Sequence, residues 1–257
     1  MVASILLPIC AGLVAAPAGG PAAALLEREK VSGLIAVVDV RSGALVASAG
    51  NFKERVPPLS VIKVLLAASL LEHGIDGGVH EMVVSSSDDA GKQLAVELRN
   101  AVGPQAVLAD VRRFGFTIGL QPDASDEEWG TTLSLGESNM LVTPLEVARY
   151  FRLVGSAQSD TLGRATRERL RLALRDVVER GTARSIRGRV IGGSIGGKTG
   201  TGPGRIGPDS DGWFAGLIFK PGGEPRYAFA IFVRKGGPGG GTAARISADL
   251  ATTLLSR

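Results

Sequence analysis

A chain of 257 residues that is 44% hydrophobic and 21% charged can bury a full core, which excludes disorder over most of its length. The net charge of +4 suits contact with anionic surfaces, but no Lys/Arg run interleaved with aromatics is present, so a nucleic-acid groove is not expected. The single cysteine, Cys10, excludes an internal disulfide and a cysteine metal site, and His73 and His80 are too few for a histidine cage, so no cofactor or metal is expected.

In chain order, Ile5 to Ala16 is an apolar stretch of signal-peptide length. It is followed by small-residue cleavage candidates at Ala16-Pro17-Ala18 and Ala22-Ala23-Ala24. Residues 1–24 are therefore expected to be a signal peptide and the chain to be exported, although no Lys or Arg precedes Glu27 to form the usual positive n-region. The stretch is short for a transmembrane span, and Pro8 and Pro17 interrupt it. A helix-like segment from Ala22 to Lys30 comes next. Leu34 to Asp39 and Ala44 to Ser48 then read as two strands joined at Ser42-Gly43.

Pro57-Pro58 imposes an extended approach to Ser60–Leu71, which is apolar on every face except at Ser60, Lys63 and Ser69, the pattern of a buried helix. Residues 60–190 are mostly helical in pattern, with segments at Ala90–Asn100, Pro104–Phe114, Pro144–Val154 and Thr166–Arg180. His73 and His80 read as polar residues in the loop after the buried helix. Strand period returns at Trp213–Phe219 and Arg226–Val233, which flank the turn Lys220–Pro225, and Thr242–Ser256 shows helical spacing. Strands at both ends of a helical middle predict an α/β (α+β) fold with a mixed, mainly antiparallel sheet built from both termini. Residues 25–59 and 191–257 would form the sheet-containing subdomain, flanked by N- and C-terminal helices. Residues 60–190 would form an inserted all-helical subdomain, with the active site between them.

Residues 192–202, GGSIGGKTGTG, fit three motifs that imply different chemistries. Gly192, Gly197, Lys198 and Thr199 match the phosphate-binding pattern G-x-x-x-x-G-K-S/T. That loop needs a helix behind it to hold the phosphates, and Gly200, Gly202, Pro203, Gly204, Gly207 and Pro208 forbid one. No nucleotide is expected. Gly192, Ser194 and Gly196 match the G-x-S-x-G elbow, whose histidine must come later in the chain, whereas both histidines come earlier.

The third frame, Lys198-Thr199-Gly200, demands a Ser-x-x-Lys at the start of a buried helix, and Ser60-Val61-Ile62-Lys63 supplies it. Residues i and i+3 share one helical face, so the Lys63 amine can reach the Ser60 hydroxyl. Burial, the helix dipole and a second cation, Lys198, would all lower the Lys63 pKa toward that of a working base. An N-cap serine accounts for Ser60 alone, but a cation in the apolar first turn of a helix is unfavourable and needs another reason. A polar triplet between these motifs can be read in two registers, Ser86 with Asp88 or Ser87 with Asp89, and the same cluster would also cap a helix.

With these motifs in this order, the chain resembles the penicillin-binding protein transpeptidases and serine β-lactamases. The resemblance extends to residues 134–150, SLGESNMLVTPLEVARY, to Gly197–Thr201 with Asp211–Gly216, and to Ser42-Gly43 before a short strand, and it covers about residues 31–256. It implies Ser60 as the acylated nucleophile, Lys63 as its base and Ser86 or Ser87 as the proton relay. Asp88 or Asp89 would hold the substrate amide, where the family carries Asn and this chain an acceptor-only carboxylate. Lys198, Thr199, Gly200 and Thr201 would line the site of the substrate carboxylate, with an oxyanion hole formed by the backbone N–H groups of Ser60 and Thr201.

The resemblance further implies peptidoglycan stem peptides ending in D-alanyl-D-alanine, and β-lactams, as partners. No E-x-x-L-N stretch is present to activate water, and Glu137-Ser138-Asn139 is the nearest candidate. That favours a D,D-peptidase or transpeptidase over a β-lactamase. Ser86 follows Ser60 by only 26 positions, so the helical region is trimmed relative to typical members, and a non-catalytic penicillin or muropeptide sensor or scaffold is the remaining alternative.

Overall fold

The computed structural model describes residues 20–137, 139–202 and 207–257. The apolar leader at Ile5–Ala16, Cys10, Ser138 and residues 203–206 of the glycine-rich stretch lie outside the described residues.

The apolar runs at both chain ends form one five-stranded sheet. Its strands are β1 (Ser32–Asp39), β2 (Leu45–Ala49), β3 (Ser194–Gly202), β4 (Asp211–Phe219) and β5 (Pro225–Arg234), in the spatial order β2-β1-β5-β4-β3. The two halves of the sequence meet where β1 pairs with β5, from Ser32 opposite Arg234 to Asp39 opposite Tyr227. β1 is buried from Gly33 onward and β5 from Ala228 to Val233, which is why their apolar residues run continuously there and do not alternate. The sheet was expected to be mainly antiparallel, and every pairing among the described residues is antiparallel, because sequence neighbours are joined by short links and the remaining pair closes the ends.

Helices α1 (Pro21–Glu29) and α9 (Thr242–Leu255) pack together on one face. On the other face lie α7 (Pro144–Gly155) and α8 (Arg164–Glu179), so part of the helical middle is itself a layer of the sheet domain. Thr143-Pro144-Leu145-Glu146 starts α7 with a capping box. Thr143 Oγ1 accepts from Glu146 N at 3.1 Å, and Glu146 Oε2 accepts from Thr143 N at 2.8 Å.

Beyond α7 stand α2 (Lys63–Glu72), α3 (Val79–Ser85), α4 (Asp88–Val102), α5 (Pro104–Arg113) and α6 (Asp126–Gly130), which runs into a wide turn at Thr131–Leu135. Tyr150 of α7 donates to the Val64 carbonyl of α2 at 2.9 Å, fastening this group to the sheet layer. His80 sits inside α3 rather than in a loop, because Asp176 of α8 holds its ring at 3.0 Å. His73 follows α2 as expected, and its ring lies 2.9 Å from Asp110, a buried carboxylate that also takes Ser69 and Arg113. Both histidines are structural fasteners.

Gly216 of β4 faces Gly197 of β3, and a Cβ at Gly216 would lie 2.0 Å from the Gly196 carbonyl oxygen and 2.4 Å from Gly197 Cα. Both obstacles are backbone, so only movement of β3 could relieve them. Gly216→Ala is expected to cost about 1–3 kcal/mol or more, seen as a lower melting temperature by circular dichroism. A melting temperature equal to the parent's would show that β3 yields freely.

Candidate active site

The segment leading to Ser60 is fixed before the helix begins. Val56 pairs with Val142, each donating its N–H to the other's carbonyl at 2.9 Å. Trp213 of β4, fully buried, donates its indole N–H to the Pro57 carbonyl at 2.9 Å. Leu59 then takes a left-handed backbone, φ +52°, with its side chain completely buried. Such a conformation costs a branched residue about 1–3 kcal/mol and persists where surrounding packing enforces it. It aims the 3-10 turn Leu59–Ile62, which carries Ser60, at the edge strand β3. A Cβ placed on Gly200 of that strand would lie 3.2 Å from Leu59 Cβ.

Lys63 begins α2 and is completely buried, and its amine lies 3.0 Å from Ser60 Oγ. The same ammonium donates to Asp88 Oδ1 at 2.6 Å, although the Asp88 side chain is 60% exposed. The pair therefore joins a dry cation to a wet anion. Burial pulls the Lys63 pKa below the ordinary lysine range with help from the Lys92 charge, while the Asp88 hydrogen bond and charge resist. Gly91, one turn into α4, makes this approach possible. A Cβ there would meet Ser134 Oγ at 2.2 Å and Lys63 Cε at 3.0 Å.

Lys198 of β3 is also completely buried, and its ammonium donates to Ser86 Oγ at 2.6 Å and to the Thr199 carbonyl at 3.1 Å. Burial, reinforced by the Lys63 charge and opposed by Asp88, pushes its pKa well below the ordinary range. Ser86 closes α3 in a left-handed conformation, φ +60°, which turns its hydroxyl back toward β3.

The two registers of the middle triplet are thereby separated. Ser86 and Asp88 meet the two lysines, whereas Ser87 caps α4, its hydroxyl accepting from Ala90 N at 3.2 Å, and Asp89 is an exposed first-turn residue that complements the helix dipole.

Side chains alternate along β3, and this divides the Lys198–Thr201 run. Lys198 and Gly200 face Ser86 and Leu59, while Thr199 and Thr201 face the other way. Thr199 Oγ1 pairs with Thr182 Oγ1 at 2.6 Å, and Thr201 Oγ1 accepts from Gly239 N at 3.0 Å. Thr182, in the segment between α8 and β3, is a site neighbour that the sequence pattern did not single out; only the Gly181-Thr182 step at the helix end hinted at a fixed turn. Ser134 opens the 134–150 segment of the resemblance, but no role at the site was expected of it. It is buried and donates to the Asp88 carbonyl at 3.3 Å, bracing the start of α4. Around two buried amines, Ser60, Ser86 and Asp88 thus form a partly open polar surface.

The family model that matches the chain is the penicillin binding protein transpeptidase domain, over residues 83–252. The match starts after Ser60 and Lys63, so these two residues join the matched region through their contacts with α4 and β3. No curated protein matches the sequence.

Among solved structures, the chain is similar to the transpeptidase domain of the FtsI4 D,D-transpeptidase of Legionella pneumophila, with a TM-score of 0.75 at 20% identity over 94% of this chain and 99% of that one. It is also similar to the D,D-transpeptidase domain of a peptidoglycan glycosyltransferase of Eggerthella lenta, with a TM-score of 0.69 at 19% identity over 88% and 78% of the two chains. A third likeness is to Pseudomonas aeruginosa PBP2 in complex with WCK 5153, with a TM-score of 0.72 at 19% identity over 90% and 76%. At these identities the structures establish the fold. The family model spans more than half of the chain and includes the segments that carry Ser86, Asp88 and Lys198, so the chain belongs to the penicillin-binding protein transpeptidase domain family.

Proposed function

We propose that the chain is a serine D,D-peptidase or transpeptidase that acts on peptidoglycan stems ending in D-alanyl-D-alanine through an acyl-enzyme on Ser60. The observation that carries this reading is the pair of buried amines on either side of the site, one 3.0 Å from Ser60 Oγ and one 2.6 Å from Ser86 Oγ. Burial favours the free amine of each lysine, and a free amine at Lys63 can take the Ser60 proton.

Ser60 Oγ attacks the carbonyl carbon of the penultimate D-alanine while its proton passes to Lys63. The tetrahedral oxyanion meets the backbone N–H groups of Ser60 and Thr201. As the C–N bond breaks, the leaving D-alanine amine receives a proton through the Ser86 hydroxyl, which Lys198 holds in place. An acceptor amine or water then takes the acyl group from Ser60. Lys198 and Gly200, on the face of β3 that looks toward Ser86 and Leu59, form the wall for the terminal carboxylate, the Thr199 and Thr201 hydroxyls are turned to Thr182 and Gly239 behind it, and Asp88 borders the amide of the stem. We propose that it acts outside the cytoplasm, where its peptidoglycan substrate lies, a reading supported by the apolar stretch at Ile5–Ala16.

Fluorescent penicillin is expected to label the protein as a long-lived adduct that Ser60→Ala abolishes. Rapid release of hydrolysed drug would instead make it a β-lactamase, and no label at any time would leave a non-catalytic binding role. Lys63→Ala is expected to slow acylation by about 10²–10⁴-fold with an unchanged circular dichroism spectrum; labelling at the parental rate would remove Lys63 as the base.

The two adjacent serines give a separate comparison. Ser86→Ala is expected to slow acylation by about 10²-fold or more. Ser87→Ala is expected to cost about 1 kcal/mol of stability through loss of the cap and to label normally. The opposite pattern of labelling would exchange their roles.

A further inference from the structure

Where the family carries a neutral Asn, Asp88 places a full negative charge 2.6 Å from the Lys63 amine. Among the described residues, the charged groups that act on that amine lie on two elements. From α4 come Asp88 and, further off, Lys92; from β3 comes Lys198. The 3-10 turn and the wide turn at Thr131–Leu135 contribute only the hydroxyls of Ser60 and Ser134, the latter fastening the Asp88 backbone. Among the described residues, Asp88 is thus the carboxylate that meets the two buried amines, and it bonds to Lys63 and not to Lys198. Its carboxylate is held at the site by the start of α4, and the side chain is 60% exposed.

We propose that Asp88 is a positioning residue that holds Lys63 as an ammonium in the resting site, so that Ser60 is acylated only in molecules whose Lys63 has given up its proton. This rests on the reading above, in which Ser60 is the nucleophile and Lys63 its base. Lys63 first releases one proton to solvent water. The free amine then takes the Ser60 Oγ proton as the Oγ–C bond forms, which restores the ammonium beside Asp88. That proton passes on through the Ser86 hydroxyl to the leaving amine, and in the acyl-enzyme Lys63, again beside Asp88, takes a proton back from water, so it cannot serve at once as base for an incoming nucleophile, and this lengthens the life of the adduct. An amide at position 88 would hold the amine by a hydrogen bond without the charge and would leave more of it free at neutral pH.

The test is the pH profile of acylation by fluorescent penicillin between about pH 6 and about pH 11, measured for the parent, Asp88→Asn and Asp88→Ala. Removing the carboxylate removes what stabilises the ammonium, so the midpoint of the profile moves to lower pH in both variants. A displacement of one unit gives about a tenfold faster acylation at neutral pH.

Lysine labelled with carbon-13 at Cε and nitrogen-15 at Nζ, with the Lys63 signal assigned by its absence in Lys63→Met, gives the same midpoint without any reaction, and it too is expected to fall in both variants. Coincident Lys63 midpoints in parent and variants would overturn the proposal. So would a pattern in which Asp88→Ala is slow at every pH while Asp88→Asn matches the parent throughout, since that would reduce Asp88 to orienting the amine. A parent that takes no label at any pH would defeat the Ser60 reading, and the Lys63 titration would still decide what Asp88 does to the amine.

Discussion

Two lysine amines, buried completely and facing each other across a serine-lined surface, are the constraint around which the rest of this molecule is arranged. Taking an ammonium out of water costs several kcal/mol even after relaxation. A fold keeps such groups only if each amine has a partner and the surrounding backbone is fixed. Here Lys63 has Ser60 and Asp88, and Lys198 has Ser86 and the Thr199 carbonyl. The same dryness that makes the lysines costly makes them chemically useful, because it lowers the stability of their charged forms.

Fixing that geometry occupies residues that never touch the reacting atoms. Trp213 reaches from the sheet to the Pro57 carbonyl, the Val56–Val142 bridge anchors the same segment to the start of α7, and the strained Leu59 backbone passes the restraint to Ser60. Strand β3 lies at the edge of the sheet, so its outer backbone groups stay unpaired by any neighbouring strand and face the turn that carries Ser60. The close β3–β4 contact at Gly197 and Gly216 holds that edge flat against β4. Strain at Leu59 and Ser86 sits on either side of the site, as expected where function and not local preference sets the backbone.

The helical middle has two jobs. Helices α7 and α8 cover one face of the sheet, while the 3-10 turn, α2 and the junction of α3 with α4 carry Ser60, Lys63 and the polar triplet, fastened by polar contacts at Asp110 and Tyr150. The short interval between Ser60 and Ser86 leaves room for α2, one turn-rich link and α3 only, yet it brings Ser86 back to β3 because α3 ends in a left-handed residue. A trimmed helical region is therefore compatible with an assembled site.

The sequence by itself determined the parts that depend on near neighbours. Continuous apolar runs bounded by turn residues marked four of the five strands, the i to i+3 spacing put Ser60 and Lys63 on one helical turn, and the glycines and prolines crowded after Lys198 removed the nucleotide reading. Tertiary structure alone decided the rest. Ser86 and Ser87 are indistinguishable in composition, and only the left-handed end of α3 and the position of Lys198 made one face the site and the other cap a helix. The choice of Asp88 over Asp89, the turn of Thr199 toward Thr182, and the placement of His80 in a helix beside Asp176 likewise rest on residues distant in the chain. Spacing fixes which side chains can share a face, but the charge or hydroxyl that each one meets comes from an element folded against it, and no local pattern records that partner.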